Sequence, residues 1–269
     1  MIKKITPVVA AAVLLVWPGT VQAAAQPITL AALGDSISAG FNACGWYVAC
    51  TSRSWSAGDH KEINSHYLRL LGDGADVRGR NRNFAYNGAT SADLMEQMEE
   101  ALKAKAGYVT ILIGAQDACV RTEQQMTPVA TYRARVDAAL AKLAPTGAQV
   151  RIVSIPDLKR LWRVGKDNAI ARAFWGIARI CQTMLANPTS TAQKDEDRRD
   201  RVRARVIAYN EEMGKACAAY GPNCRYDDGE VFKFPFTLSM VSKWDYFHPN
   251  AEGQRTIARL SFRTVEAPV

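Results

Sequence analysis

The sequence predicts an α/β fold: a three-layer α/β/α sandwich built on a central, mainly parallel sheet of five strands. Three observations predict it. Short strand-like runs alternate with segments of helical periodicity over residues 27–265, the order that builds a sheet covered by helices on both faces. Two of the runs, YVTILI at 108–113 and VRIVSI at 150–155, are apolar and β-branched with little alternation, as suits strands buried on both faces. Three runs stop at Gly34, Gly114 or Pro156, residues that punctuate a chain.

The first strand covers 27–33 and leads straight into Gly34. A helix over 62–71 follows. A weaker strand over 82–86 precedes a helix over 91–104, with Ser91 as N-cap and Asp93 in the first turn. After the strand at 108–113, a helix over 127–143 sets Val129, Tyr132, Val136, Ala139, Leu140 and Leu143 at helical spacing and stops at Pro145 and Gly147. The strand at 150–155 leads into the least regular stretch, 159–194. Its Trp162, Phe174, Trp175 and Met184 fit a helical insertion near the top edge of the sheet, either as core or as a lid over an acyl pocket. A long helix over 197–220 ends at Gly221 and Pro222, a short strand spans 224–227, and a final helix over 250–265 is capped by Asn250. No repeat or low-complexity linker interrupts the chain, so residues 24–269 are expected to form a single domain.

Lys3 and Lys4, the apolar run 8–17 and the small residues around Val21-Gln22-Ala23 predict a secretory signal peptide over 1–23, cut after Ala23. The apolar run is shorter than the about 20 residues that span a bilayer; an N-terminal anchor is the alternative. Export to a periplasm or out of the cell fits the cysteines. Cys44, Cys50, Cys119, Cys181, Cys217 and Cys224 form an even set, expected as three disulfides in an oxidising compartment. The pairing expected is the nearest-neighbour set, Cys44–Cys50, Cys119–Cys181 and Cys217–Cys224. A zinc site competes poorly, because no Cys-x-x-Cys pair is present and histidines number three. The formal charge of +8 falls to +6 without Lys3 and Lys4. Such an excess can favour transient contact with an anionic membrane surface. The densest charged run, 194–205, mixes both signs, as on an exposed helix face and unlike a nucleic-acid stripe. A monomer is expected.

Ligands of open parallel sheets bind beyond the carboxyl ends of the strands, and the unusual residues gather there. Gly34-Asp35-Ser36 follows the first strand, Asn87-Gly88-Ala89-Thr90 the second and Gly114-Ala115-Gln116-Asp117 the third. Near the other end stands Asp245-Tyr246-Phe247-His248. A serine, a histidine and a carboxylate are the groups that make a hydroxyl nucleophilic at neutral pH. Alone, Gly-Asp-Ser is equally a helix start capped by Asp35 or Ser36. Ser38 stands where the Gly-x-Ser-x-Gly signature ends in glycine, which argues against an α/β-hydrolase elbow. His60 and His66 lie in or beside a polar, helix-like segment with no comparable acid–histidine motif.

GDSIS at 34–38, Gly88 in NFAYNGATSADL, GAQD at 114–117 and DYFH at 245–248 together resemble, in order and spacing, the four blocks of the SGNH/GDSL hydrolase superfamily. The resemblance covers about residues 28–259. SWSAGD at 54–59, Cys119 and DYFHPNAEGQ at 245–254 resemble its phospholipase B-like branch. The resemblance implies a flavodoxin-like sandwich and a secreted serine esterase that needs no metal or organic cofactor. Ser36 would be the nucleophile, His248 the general base and Asp245 the carboxylate that orients it. The oxyanion hole would use the backbone N–H groups of Ser36 and Gly88 and a side-chain amide from the third block. The family has asparagine there, and this chain has Gln116, with the same donors on a stem one methylene longer. Gln116 can fold back and donate, occupy a pocket shifted to fit it, or leave a weak enzyme, since a misplacement of about 1 Å costs on the order of 100-fold in rate. Asp117 would brace its loop. The implied substrate is a lipid or phospholipid acyl ester. An acylated carbohydrate is one alternative, and a weakly active or inactive binding protein on this scaffold is another.

Overall fold

The computed structural model describes residue 2 and residues 27–262. Residue 2 aside, the expected signal peptide over 1–23 lies outside the described residues, as do positions 263–265 of the expected final helix. Strands β1 (Thr29–Gly34), β2 (Asn81–Asn83), β3 (Ala106–Leu112), β4 (Gln149–Ile152) and β5 (Cys224–Tyr226) form one parallel sheet in the order β2-β1-β3-β4-β5. The helices are α1 (His66–Gly72), α2 (Leu94–Lys103), α3 (Ala115–Ala118), α4 (Val129–Leu143), α5 (Leu158–Gly165), α6 (Ala169–Ile177), α7 (Gln182–Leu185), α8 (Gln193–Tyr220), α9 (Glu230–Lys233) and α10 (Ala251–Phe262). From β1 the chain steps to one side for β2 and then to the other for β3. That reversal opens a crevice at the carboxyl ends of β1 and β3, the place where such sheets bind ligands.

Alternation along β1 divides the core in two. Ala31 and Leu33 face the larger cluster, with Val109, Ile111, Val150 and Ile152 and the inner residues of α2, α4 and α8, among them Met98, Tyr132 and Val206. Leu30 and Ala32 face the other side, with Tyr108 and with Tyr67 of α1. Both faces of the central strands are thus buried, with Thr110 of β3 and Arg151 of β4 as polar residues on the second face, which explains runs with little alternation. Each fully buried apolar side chain contributes about 1.5–3 kcal/mol.

Several boundaries move for local reasons. The helix expected from 62 starts at His66, because Asn64 takes a left-handed φ of 49° and Ser65 caps the Leu68 N–H. The strand expected over 82–86 pairs only over 81–83, because the Asn83 side chain accepts the Ala85 N–H and turns the chain. The helix expected from 197 starts at Gln193: Asp195 and Glu196 stand in its first turn and pair with Arg198 and Arg199. The 159–194 stretch holds α5, α6 and α7, with Asp157 and Asn168 capping the first two. Trp162, Trp175 and Met184 are core residues, and Phe174 is half-buried. The disulfides are Cys44–Cys50, Cys119–Cys181 and Cys217–Cys224, the same pairs as the nearest-neighbour set. No helix among the described residues is long and apolar enough to cross a membrane.

Candidate active site

Residues 34–38 leave β1 through a backbone that only glycine fits at its first position. Gly34 has a φ of 140°, and a Cβ there would stand 2.0 Å from the Leu112 carbonyl oxygen. Two buried glutamines clamp the loop. Gln97 of α2 accepts the Gly34 N–H (2.7 Å) and donates to its carbonyl (2.9 Å). Gln254 of α10 donates to the Ile37 carbonyl and accepts the Trp55 N–H, both at 2.9 Å. Ser54 donates to the Ser38 carbonyl and the Trp55 indole to the Ser38 hydroxyl. Ser36 is therefore presented on a loop fixed by α2, α10 and the 54–59 segment.

A hairpin-like turn from the far end of the chain meets it. Ser242 N–H donates to the His248 carbonyl, and Val241 bridges Pro249. His248 Nε2 lies 2.7 Å from Ser36 Oγ, and its Nδ1 lies 2.6 Å from Asp245 Oδ2. Asp245 Oδ1 accepts the N–H groups of Phe247 (2.9 Å) and His248 (3.0 Å). Burial raises the Asp245 pKa, but these bonds and the His248 charge outweigh it and hold the carboxyl below its ordinary range. The aromatic rings of Phe41 and Phe247 meet the imidazole edge-on. The Trp175 indole donates to the Tyr246 carbonyl and ties α6 to the same turn.

Asn42 was not legible as a site residue. It is buried, with a left-handed φ of 58°, and its Nδ2 donates to Asp245 Oδ2 at 2.5 Å. Its own carbonyl oxygen accepts the Tyr47 N–H (2.8 Å), and the Tyr47 hydroxyl donates to the Trp244 carbonyl. The loop closed by Cys44–Cys50 thus holds the same carboxylate oxygen that His248 meets.

The other expected residues converge on the same crevice. Gly88 lines it, and among the described residues neither the Ser36 nor the Gly88 N–H donates to a protein acceptor. Gln116 also lines it, with Nε2 turned toward the Cys119 carbonyl at 3.4 Å, a contact at the outer limit of hydrogen bonding. Asp117 is buried and accepts both the N–H and the hydroxyl of Ser91, so it ties the third block to the turn before α2. The remaining histidines are elsewhere. His60 is on the surface beside Glu62. His66 is fully buried, against expectation for a polar segment, and bonds to Tyr108 and Ser261; burial lowers its pKa well below the ordinary value.

Two cavities open on Ser36 and His248. One is a narrow apolar pocket of about 60 Å³ between α5 and residues 236–249, lined by Ile37, Leu158, Leu161, Val164, Phe236, Met240, Val241 and Phe247. The other is a wide cleft of about 650 Å³ lined by Phe41, Tyr47, Asn87, Gly88, Arg121, Gln125, Arg179 and both sulfur-bearing residues Cys119 and Cys181. Ser36, Gln116, Phe247 and His248 border both.

The model of the GDSL-like lipase/acylhydrolase family matches residues 32–256. The chain belongs to that family. It is accordingly a carboxylic ester hydrolase. Similar solved structures include TesA (18% identity, 88% of this chain and 98% of that one, TM-score 0.56). An alpha/beta hydrolase enzyme from the metagenome of Lake Arreo, Spain, matches at 18% identity over 89% and 95% of the two chains, with a TM-score of 0.56. An acetylxylan esterase from Geobacillus stearothermophilus matches at 16% identity over 91% and 96%, with a TM-score of 0.54. At these identities the likeness concerns the fold. No curated protein matches the chain.

Among the residues of this GDSL-family site that sequence reasoning missed, Gln254 had a signal: it ends the DYFHPNAEGQ segment. Asn42, Gln97 and Trp175 had none, because each acts on a partner at least 63 residues away. Asp35 was legible only as a helix cap. In the structure it is buried, with Oδ1 accepting the Ile37 N–H (2.9 Å) and Oδ2 without a hydrogen-bond partner among the described residues.

Proposed function

We propose that this hydrolase is a secreted serine esterase that cleaves lipid or phospholipid acyl esters through an acyl-enzyme. The observation that carries the reading is the unbroken line Asp245–His248–Ser36, at 2.6 and 2.7 Å, standing where a narrow apolar pocket meets a wide cleft that carries two arginines. Ser36 Oγ attacks the ester carbonyl carbon while its proton passes to His248 Nε2. Asp245 holds the Nδ1–H tautomer and stabilises the imidazolium. The carbonyl electron pair moves onto oxygen, which is received by the N–H groups of Ser36 and Gly88 and by the Gln116 amide. As the tetrahedral species collapses, the carbon–alkoxide bond breaks and His248 returns its proton to the departing alcohol. Water then attacks the acyl-Ser36 carbonyl, again losing a proton to His248, which passes it to Ser36 Oγ as the acid leaves.

The apolar lining from α5 and residues 236–241 supports an acyl chain in this pocket, whose volume of about 60 Å³ encloses the carbons nearest the ester. SWSAGD and Cys119 support the phospholipase B-like branch: Cys119 lines the cleft, and Trp55 is buried behind the Ser36 loop, where its indole donates to the Ser38 hydroxyl. Three disulfides support an oxidising compartment. A second reading, an acylated carbohydrate, is favoured by one feature. Trp46, Tyr47 and Trp244 form an exposed aromatic cluster whose Tyr47 reaches the cleft. Such rings can stack on a sugar or dip into a membrane surface. The test is a panel of esters of rising acyl length on the purified protein. Activity rising from two to eight carbons is expected, and a sharp acetate preference would favour the carbohydrate. Ser36→Ala is expected to lose at least about 1000-fold in kcat, and near wild-type activity in that variant would end the reading.

A further inference from the structure

We infer that the wide cleft holds an anion-binding subsite for the alcohol half of the ester, formed by Arg121 and Arg179, so that the preferred substrates release a negatively charged alcohol. The inference rests on the esterase reading above. With the acyl group in the apolar pocket, the planar ester directs its alkoxy oxygen the other way, into the cleft. Arg121 and Arg179 both line that cleft together with Ser36 and His248.

The two arginines come from separate stretches that the fold ties together. Arg121 follows Cys119 by two residues, and Arg179 precedes Cys181 by two. The disulfide sets the two cysteine Cα atoms 4.2 Å apart. Thr183 adds two bonds across the junction, its N–H to the Val120 carbonyl (3.0 Å) and its hydroxyl to the Ala118 carbonyl (2.7 Å). Among the described residues neither guanidinium has an ion pair or hydrogen bond, whereas Arg198, Arg201 and Arg205 on neighbouring α8 are each engaged. Among the described residues the single carboxylate lining the cleft is Asp245, and its Oδ2 already meets His248 and Asn42. The wall is therefore positive and uncompensated beside the nucleophile. Planar guanidinium forks bind phosphate and carboxylate oxygens in pairs, and a cleft lined by one sign concentrates ions of the other.

The test compares kcat/KM within matched pairs that share an octanoyl chain. One pair is 1-octanoyl-glycerol 3-phosphate against 1-octanoyl-glycerol, and the other is 6-octanoyl-glucose 1-phosphate against 6-octanoyl-glucose. Each is measured for wild type and for Ser36→Ala. An anionic preference of roughly tenfold or more at low salt, shrinking as NaCl rises, is expected in at least one pair. The larger ratio identifies the source of the phosphate, lipid or sugar. The double variant Arg121→Gln/Arg179→Gln is expected to bring that ratio to within about twofold of one, while Arg121→Lys/Arg179→Lys, which keeps the charge and loses the paired fork, gives an intermediate ratio. A wild-type ratio near one in both pairs, with Ser36-dependent cleavage of all four esters, overturns the subsite and leaves the esterase reading standing. Persistence of the preference in the glutamine variant overturns the assignment to these arginines. Absence of Ser36-dependent cleavage from every ester overturns the esterase reading and the subsite with it.

Discussion

Asp35 is a carboxyl that the fold holds out of water one residue before Ser36. Burial raises its pKa to about 7. The Ile37 N–H and the His248 charge pull it down, and Asp117 pushes it up. The unfolded chain gives such a group a pKa of about 3.9. The folded state thus binds a proton that the unfolded state releases between about pH 4 and 7. Stability is greatest below that window, falls as pH rises through it and stays lower above it. Asn in place of Asp keeps the shape without the ionisable proton. The Tm advantage of Asp35→Asn over wild type is expected to grow between pH 4 and pH 8 by at least the about 2–4 °C that 1 kcal/mol represents in a domain of this size. Calorimetry at the two pH values checks it, and an equal difference at both would show Asp35 to be solvated. At this scale the sequence discloses the residues that the structure gathers at the cleft, Ser36, Gly88, Gln116, Asp245 and His248, because each stands in a local motif. It does not disclose Asp35 as a buried acid, nor Gln97 and Gln254 as clamps, since burial and remote pairing depend on where α2 and α10 come to lie.

The loop from Asn42 to Cys50 shows how an element does work that its composition hides. Its backbone is left-handed at Asn42, Trp46 and Tyr47, which no propensity suggests for two aromatic residues. The loop is held by Cys44–Cys50, by Phe41 bridging Ala49 and by the Tyr47 bond to Trp244. All of this aims Asn42 at Asp245 Oδ2, the same oxygen that meets His248. Removing that donor frees the carboxylate to swing, and a shift of about 1 Å in catalytic geometry costs on the order of 100-fold. Asn42→Ala is expected to lower kcat roughly 10- to 100-fold and to leave KM within about threefold. The acidic limb of its kcat–pH profile should shift, because Asn42 acts through the Asp245–His248 pair. A loss confined to KM would instead place Asn42 in substrate binding. The strands and most helices were legible in hydrophobic period and punctuation. Their ends were not, because Asn64, Ser65 and Asn83 set them through single backbone angles or side-chain bonds.

Across the whole molecule, the candidate site joins residues 212 positions apart, Ser36 and His248, so it exists only once the sandwich has closed. The sandwich itself was legible in the order of its segments. Which helices share a face was not, because α2, α4 and α8 differ from α1 through strand register and crossover, not composition. The three disulfides bear on this closure unequally. Cys44–Cys50 and Cys217–Cys224 span 6 and 7 positions, whereas Cys119–Cys181 spans 62. Cross-links restrain the unfolded chain more as the loop lengthens: about 4 kcal/mol for the long one and about 2.5 kcal/mol for each short one, from chain entropy. Cys119–Cys181 also joins the end of α3 to the start of α7, across β4 and the insertion that walls both cavities. Cys119→Ala/Cys181→Ala is therefore expected to lower Tm by roughly 8–16 °C, and Cys217→Ala/Cys224→Ala by roughly 5–10 °C. Thermal melts of the two double variants beside wild type decide it. A larger loss from the Cys217–Cys224 pair would mean that the end of α8 against β5, and not the insertion, is where the fold most needs covalent restraint.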